Sequence, residues 1–203
     1  MGIKTALDNL SDTTDSIGRR EIRQGINKEI DLLTRLVADL RKIGDMQHHE
    51  IEQLPVNVDL LLEEAFTMAS DELQLQDREL QFVKLDFMPP IKGDYDLLLL
   101  AIHNVLSNAI KYTRTGDRIC LSADCDDTQL IISVRDSGPG ICPEDLPHVW
   151  EELYRSQHVK DVEGSGIGLA MVRQIIKRHG GSSTIHSTAG MGTTVKLHLP
   201  SVQ

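Results

Sequence analysis

Residues 97–112, LLLLAIHNVLSNAIKY, constrain the fold of this chain more than any other stretch. Leu98, Ile102, Val105 and Ala109 recur at helical spacing, giving an apolar stripe that must be buried against a second layer. Asn104, Asn108 and Lys111 recur at i, i+4 and i+7 on a different face, about a helical turn apart. A carboxamide oxygen can ligate a hard cation such as Mg²⁺, and an ammonium can hold a phosphate. Solvation alone would also account for such a face, so its meaning depends on what else the chain carries.

The flanking patterns supply the layers. Residues 3–10 place Ile3, Leu7 and Leu10 at helical spacing, and the polar run SDTTDSIG reads as a turn. From about residue 20 to 47, Ile26, Ile30, Leu33, Val37 and Leu40 step by 4, 3, 4 and 3, the seam of a helical bundle. A lone two-helix hairpin buries that stripe poorly, so the pattern predicts homodimerisation into a four-helix bundle. Residues 48–55 read as a linker. Asp59 is expected to cap a helix over 60–76 with Leu61, Ala65 and Met68 inward. A strand is expected at 79–86, and Pro89, Pro90 and Gly93 interrupt the chain before the central helix. Ile119, Leu121 and Ala123 alternate, as do Leu130, Ile132 and Val134, and CDDT between them predicts a hairpin. A helix over 166–179 closed by Gly180 and Gly181 precedes a last hairpin carrying Val195, Leu197 and Leu199. This order predicts an α+β fold, a two-layer α/β sandwich with helices covering one face of a mixed sheet, preceded by an α-helical hairpin. The expected division is 1–54 and 55–203.

Composition narrows the function. A net charge of −10 and a pI near 5.2 speak against a nucleic-acid binder, and 3% aromatic residues speak against base stacking. Cys120, Cys125 and Cys142 show no paired metal spacing and fit reduced cytosolic thiols. No apolar run reaches membrane-spanning length and no signal peptide opens the chain. A cytoplasmic segment without membrane contact is expected, whatever anchors a longer parent.

Three glycine motifs carry the chemistry. In VRDSGPGI, Asp136 shares the parity of Leu130, Ile132 and Val134 and so continues the core-facing side of its strand. A carboxylate there is costly without a donor, and an exocyclic amine such as the N6 group of adenine is one. Gly138 and Gly140 let the backbone turn close to a ligand. In GSGIGLAMV, Gly164, Gly166 and Gly168 open a helix whose free N–H groups suit a phosphate. A dinucleotide-binding reading needs a strand just before, and residues 155–163 are polar and loop-like, so a lid over a nucleotide fits better. GMGTT, residues 190–194, lies in the last hairpin.

In order and spacing these motifs resemble the catalytic, ATP-binding domain of sensor histidine kinases, within the wider Bergerat nucleotide fold. HNVLSNAIKYT matches the N box, DSGPG the G1 box, VWEELYR the F box, GSGIGLA the G2 box and GMGTT the G3 box. Trp150 and Leu153 stand where phenylalanines are common. The resemblance covers about residues 57–200, and the earlier helices resemble the family's dimerisation and phosphotransfer hairpin. It implies that Asn108, with Asn104, coordinates Mg²⁺ on the ATP phosphates, that Lys111 contacts phosphate and that Tyr112 lies against the nucleotide. It implies that Asp136 receives the adenine amine, with Gly138 and Gly140 shaping the pocket. Arg155 is expected to reach the terminal phosphate, Gly164, Gly166, Gly168 and Leu169 to form the lid and phosphate cradle, and Thr194 to complete the base-binding side. Asn104 stands where hydrolytic relatives carry a Glu. An amide cannot act as a base, which favours phosphoryl transfer to a histidine over hydrolysis. The implied partners are a second copy through the N-terminal helices, a response-regulator receiver domain and an upstream sensor domain.

One departure stands out. The family's acceptor histidine lies on the first hairpin helix, in a motif like H-E-x-x-T/N-P, and residues 1–20 contain no histidine. A segment starting just downstream of that motif is the simplest explanation. The alternative is a true loss, leaving an ATP-binding pseudokinase that regulates a partner. Either way this segment is expected to bind ATP without phosphorylating itself. His49-Glu50 followed by Pro55 is a decoy, with its proline one place too far and its position after the second helix. His103 lies about 100° round the helix from Asn104 and is expected to be a packing or surface residue.

Overall fold

The computed structural model describes residues 51–73, 79–85, 88–126, 128–156, 162 and 164–201, with scattered positions between 23 and 44. The chain divides into two compact units, Met1–His48 with Glu163–Ser165, and His49–Val162 with Gly166–Gln203. In the first unit the described positions among 23–44 are α-helical. Ile30, Leu33 and Val37 of the predicted seam are 48%, 50% and 65% exposed in the single chain. The expected first helix and its turn lie outside the described residues, as do His48, His49 and Glu50.

The second unit begins with a short strand, β1 (Leu54–Val56), and a helix, α1 (Val58–Leu73). Its cap is Asn57, not Asp59: Asn57 Oδ1 accepts the Leu60 N–H at 3.1 Å and its carbonyl accepts that of Leu61. Asp59 instead binds Lys84 of β2 (Glu79–Lys84), and Glu63 binds the same ammonium at 3.2 Å. The buried stripe of α1 is Val58, Leu61, Leu62, Ala65, Ala69 and Leu73. Met68, expected inward, is 40% exposed, one position off that stripe.

β3 (Ile91–Gly93) pairs antiparallel with β1 in a two-stranded sheet within stretches expected to be linker and break. The long helix α2 (Tyr95–Tyr112) follows, with Asp94 accepting the Leu97 N–H as its cap. Leu98, Ala101, Ile102, Val105, Leu106, Ala109 and Ile110 are buried, which confirms and widens the apolar stripe.

Then come β4 (Arg118–Cys125), β5 (Gln129–Asp136), the helix α3 (Gly168–Arg178), β6 (Ser182–Thr188) and β7 (Gly192–Pro200). The main sheet runs β2-β4-β5-β7-β6. β2 joins β4 in parallel and the other pairs are antiparallel, so the sheet is mixed as expected. Its inner face carries Ile119, Leu121, Leu130, Ile132, Val134, Val195, Leu197 and Leu199, all buried. Each such side chain removed from water contributes about 1.5–3 kcal/mol. α1 packs on α2 and α2 on α3, giving the helical layer. The C-terminus of α3 is a Schellman turn. Gly180 at φ 73° bonds back to Lys177, and Gly181 to Ile176.

Candidate functional site

One end of the site is built from strands. Asp136 closes β5 on its inner face, opposite Thr193 of β7. Its Oδ1 accepts the Gly138 N–H at 2.9 Å and the Thr193 N–H at 3.3 Å. Among the described residues Oδ2 has no hydrogen-bond partner and is left for a ligand's donor. Burial pushes the carboxyl pKa up, and the two N–H bonds oppose that shift. The turn after Asp136 packs tightly. A Cβ at Gly140 (φ 68°) would lie 2.1 Å from the Thr188 carbonyl oxygen, and one at Gly192 (φ 95°) 2.0 Å from that of Asp136. Gly138 lies against Thr113 and the Tyr112 carbonyl, joining this turn to the end of α2. A cavity of about 360 Å³ opens here, lined by Asp136, Leu146, Ser187 and Thr193 together with Arg135 and Thr194. That volume falls in the range of small-molecule sites, roughly 300–1,000 Å³.

The other end is built from helices. Asn104 and Asn108 are half-buried on α2. Asn104 Nδ2 donates to the Leu100 carbonyl at 2.8 Å, which turns Oδ1 toward the start of α3. A Cβ at Gly168 would lie 3.2 Å from Asn104 Oδ1 and 3.9 Å from Asn108 Nδ2. Ile167 caps α3 without a side-chain hydrogen bond, so the cap residue's own side chain leaves the first N–H groups of that helix uncovered beside the two carboxamides. Leu169 is half-buried in that first turn. Among the described residues no group of three or more His, Cys, Asp or Glu is arranged to hold a metal. A cation here would rest on carboxamides and on the ligand's own phosphates.

The structure also brings Arg155, Gly166 and Tyr112 together. A Cβ at Gly166 (φ 73°) would touch the Tyr154 carbonyl oxygen at 2.7 Å and Arg155 Cγ at 3.1 Å. Arg155 donates to the Val162 carbonyl at 2.6 Å, and its charge acts on the Tyr112 hydroxyl, whose pKa is raised by burial and lowered by the guanidinium. Behind them the F-box stretch is pinned by Tyr154, whose hydroxyl donates to the buried Asp145 at 2.5 Å and whose pKa is pushed up to about 12 by that bond. Leu153 is 56% exposed at φ 63°.

Two expected residues are not gathered in. Lys111 is exposed with no partner among the described residues, and Gly164 falls in the first unit with open space around it. Thr194 lines the same cavity but does not stand beside the Asp136 carboxylate. It pairs with Arg135 and His186, and alternate residues of a strand point to opposite faces, so Thr194 is on the face away from Asp136. Thr193 is the threonine whose backbone N–H meets that carboxylate. Counting parity back from Val195, Leu197 and Leu199 would have found it.

Comparison with known proteins agrees with this geometry. The profile of the family described as Histidine kinase-, DNA gyrase B-, and HSP90-like ATPase matches residues 93–203. Drug sensory protein A of Synechocystis sp. is 32% identical over 210 residues, 95% of this chain and 31% of that protein. The structure of the mycobacterial sensor histidine kinase MprB is 28% identical at a TM-score of 0.65, covering 73% of this chain and 98% of that one. The histidine kinase ThkA in complex with the response regulator protein TrrA shares the fold, at a TM-score of 0.77 and 19% identity over 98% of this chain and 57% of that one. The chain spans 31% to 50% of the length of the first curated relatives it matches. It belongs to the histidine kinase-, DNA gyrase B- and HSP90-like ATPase family, and carries the ATP-binding catalytic domain of sensor histidine kinases.

Proposed function

We propose that this domain binds Mg-ATP across the two ends just described and, in the complete protein, transfers the γ-phosphoryl group to a histidine for relay to a response-regulator aspartate. The observation that carries this reading is the pairing of an unsatisfied carboxylate oxygen on Asp136 with an uncapped helix N-terminus at Gly168 facing Asn104. Asp136 Oδ2 would take the adenine amine and Thr193 would flank the base. Asn104 and Asn108 would hold Mg²⁺, the cradle at Gly168 leaving room for phosphate oxygens where a Cβ would intrude. Bound Mg²⁺ would supply charge neutralisation on the phosphates. The chain's own part is then to fix the base, align the phosphates and shield them from water, since phosphoryl transfer relies mainly on positioning. Lys111 and Arg155 would add positive charge near the outer phosphates, Tyr112 would lie against the nucleotide, and Gly166 and Gly168 would serve as the hinge and phosphate cradle.

The helical seam extends the proposal. Ile30, Leu33 and Val37 are about half or more exposed in the single chain, which supports a second copy packing there as a four-helix bundle. A division near residue 54, a receiver-domain partner and an upstream sensor domain follow from the same reading. No described helix is long and apolar enough to cross a membrane, which suits a cytoplasmic segment.

Calorimetric titration with a non-hydrolysable ATP analogue, with and without Mg²⁺, tests the site. Metal-dependent binding is expected, weakened about 100-fold in Asp136→Asn, where an amide N–H₂ would face the adenine amine. In Asn108→Ala about tenfold weakening is expected, mostly of the Mg²⁺-dependent part, the size of one or two lost polar contacts. Wild-type chain that binds no nucleotide would sink the proposal.

A further inference from the structure

His179 is 4% exposed at the C-cap of α3. Its Nδ1 bonds the Ile175 carbonyl at 2.8 Å, which makes Nδ1 the donor and leaves Nε2 bare. That bare nitrogen accepts the backbone N–H of Asp94, the cap of α2, at 3.0 Å. One neutral imidazole therefore bonds the last turn of α3 to the first turn of α2. The fit is close, since a Cβ at Gly93 would lie 2.7 Å from His179 Cδ2.

The same two helices meet again where Asn104 faces Gly168. Asn104 lies ten residues beyond Asp94, and Gly168 lies eleven residues before His179, each about 15–17 Å along its helix axis. The helices thus run antiparallel and are held at two matching points. With a helix as rigid as this, fixing the far contact fixes the near one.

We propose that His179 is a positioning residue for the phosphate half of the site, its two hydrogen bonds setting α3 along α2 so that the uncapped N-terminus of α3 meets Asn104. The inference rests on the nucleotide-binding reading above. The strand-built half, Asp136 and Thr193, does not depend on this contact. Loss of His179 should therefore cost phosphate recognition and spare the base.

Chemistry adds a second handle. A protonated imidazole carries N–H at both nitrogens, so Nε2–H would meet the Asp94 N–H and that bond would be lost. Burial holds the His179 pKa below its ordinary 6.5 and dominates the charges facing it, Asp94 from α2, which raises it, and Arg178 from α3, which lowers it. From β3 the chain approaches with Gly93. At neutral pH the bond is intact.

The experiment titrates the chain with adenosine and, separately, with a non-hydrolysable ATP analogue plus Mg²⁺, for wild type, His179→Ala and His179→Gln at pH 7.5. The readout is the phosphate gain, the ratio of the two dissociation constants. In His179→Ala the gain should fall about tenfold, the size of one buried hydrogen bond, with adenosine affinity within about twofold of wild type. Gln can still accept the Asp94 N–H and should keep the gain within about threefold. A gain unchanged in His179→Ala, or adenosine and analogue weakening together, overturns the proposal. If His179→Ala does not fold, a pH series decides. The γ-phosphate also titrates in this range, so wild type is read against His179→Gln. As the pH is lowered and the His179 imidazole, followed by its proton NMR resonance, takes up its second proton, the gain should fall further in wild type, and equal falls across that titration overturn the proposal. Wild type binding neither ligand would remove the nucleotide reading itself, and this inference with it, a result distinct from the others.

Discussion

The two ends of the site are made of different materials. At Asp136 the strands set every position: β5 and β7 fix the carboxylate against Thr193, and two backbone N–H groups hold one of its oxygens. At Asn104 the geometry comes from side chains on one helix and the bare start of another. Glycines serve both ends, but for opposite reasons. Gly140 and Gly192 are there because the protein's own backbone fills the space, with carbonyl oxygens 2.1 Å and 2.0 Å from a would-be Cβ. Gly168 is there to keep space open beside Asn104 and Asn108. The first kind of glycine is a folding requirement and the second a binding requirement.

Substituting alanine at each end tests that contrast most directly. Gly192→Ala adds a Cβ against the Asp136 carbonyl in a left-handed conformation, combining strain and overpacking of at least about 3 kcal/mol. Its urea midpoint should fall steeply, and binding should fail with the fold. Gly168→Ala places its methyl in ordinary helical conformation, where Ala is favoured over Gly by about 1 kcal/mol. Stability should hold or rise, while affinity for the ATP analogue falls about tenfold as the Asn104 carboxamide is displaced. Equal stability changes in the two variants would erase the distinction.

Asp136→Asn sharpens the comparison through pH. Burial raises the Asp136 pKa above its ordinary 3.8, so the folded state favours the protonated acid more than the unfolded chain does. The contribution to stability is therefore full below 3.8 and is lost as pH rises through the folded pKa. Asn does not titrate and keeps an oxygen for both N–H donors. Urea unfolding at pH 4 and pH 7 should show the variant gaining on wild type as pH rises, although it has lost nucleotide affinity. An opposite trend would mean that the carboxylate is stabilised in place and that no stability is given up for binding.

Much of this architecture was legible in the letters. The α2 stripe, the alternating strands and the closing glycines of α3 each follow from a period or a turn residue, and the structure has them all. What the letters hid are contests between nearby candidates. Asn57 and Asp59 are both good caps, and Lys84, twenty-five residues on, draws Asp59 away. Met68 loses its place to Ala69 because the buried stripe advances by four there. β1 and β3 are three residues each, too short to show a period, and exist only because they find one another. The bond from His179 to Asp94 spans eighty-five positions, and no local pattern announces it.

Thr193 and Thr194 present the smallest and most exacting contrast, since the two are chemically alike and adjacent. A motif match cannot separate them, whereas sheet register can. Thr193 pairs with Asp136 and Ser187 on the inner face, and its hydroxyl lies 3.0 Å from that of Ser187. Ser187 in turn donates to the Gly192 carbonyl and accepts the Ile141 N–H, so the hydroxyl of Thr193 joins a network spanning the turn after Asp136 and the last hairpin. Thr193→Val keeps the shape, keeps the backbone N–H on Asp136 and removes only the hydroxyl. Losing one hydrogen bond of this kind costs about 0.5–1.5 kcal/mol, so adenosine and ATP-analogue affinities should fall together about three- to tenfold. Thr194→Val, on the far face with Arg135 and His186, should leave both within twofold. The parallel loss of both ligands in Thr193→Val would place its effect at the base, in contrast to the phosphate-only loss expected at Gly168. If instead Thr194→Val were the damaging change, the strand would have to be shifted by one residue. Val195, Leu197 and Leu199 would then leave the inner face, and the pairing of Thr193 with Asp136 would be lost with them.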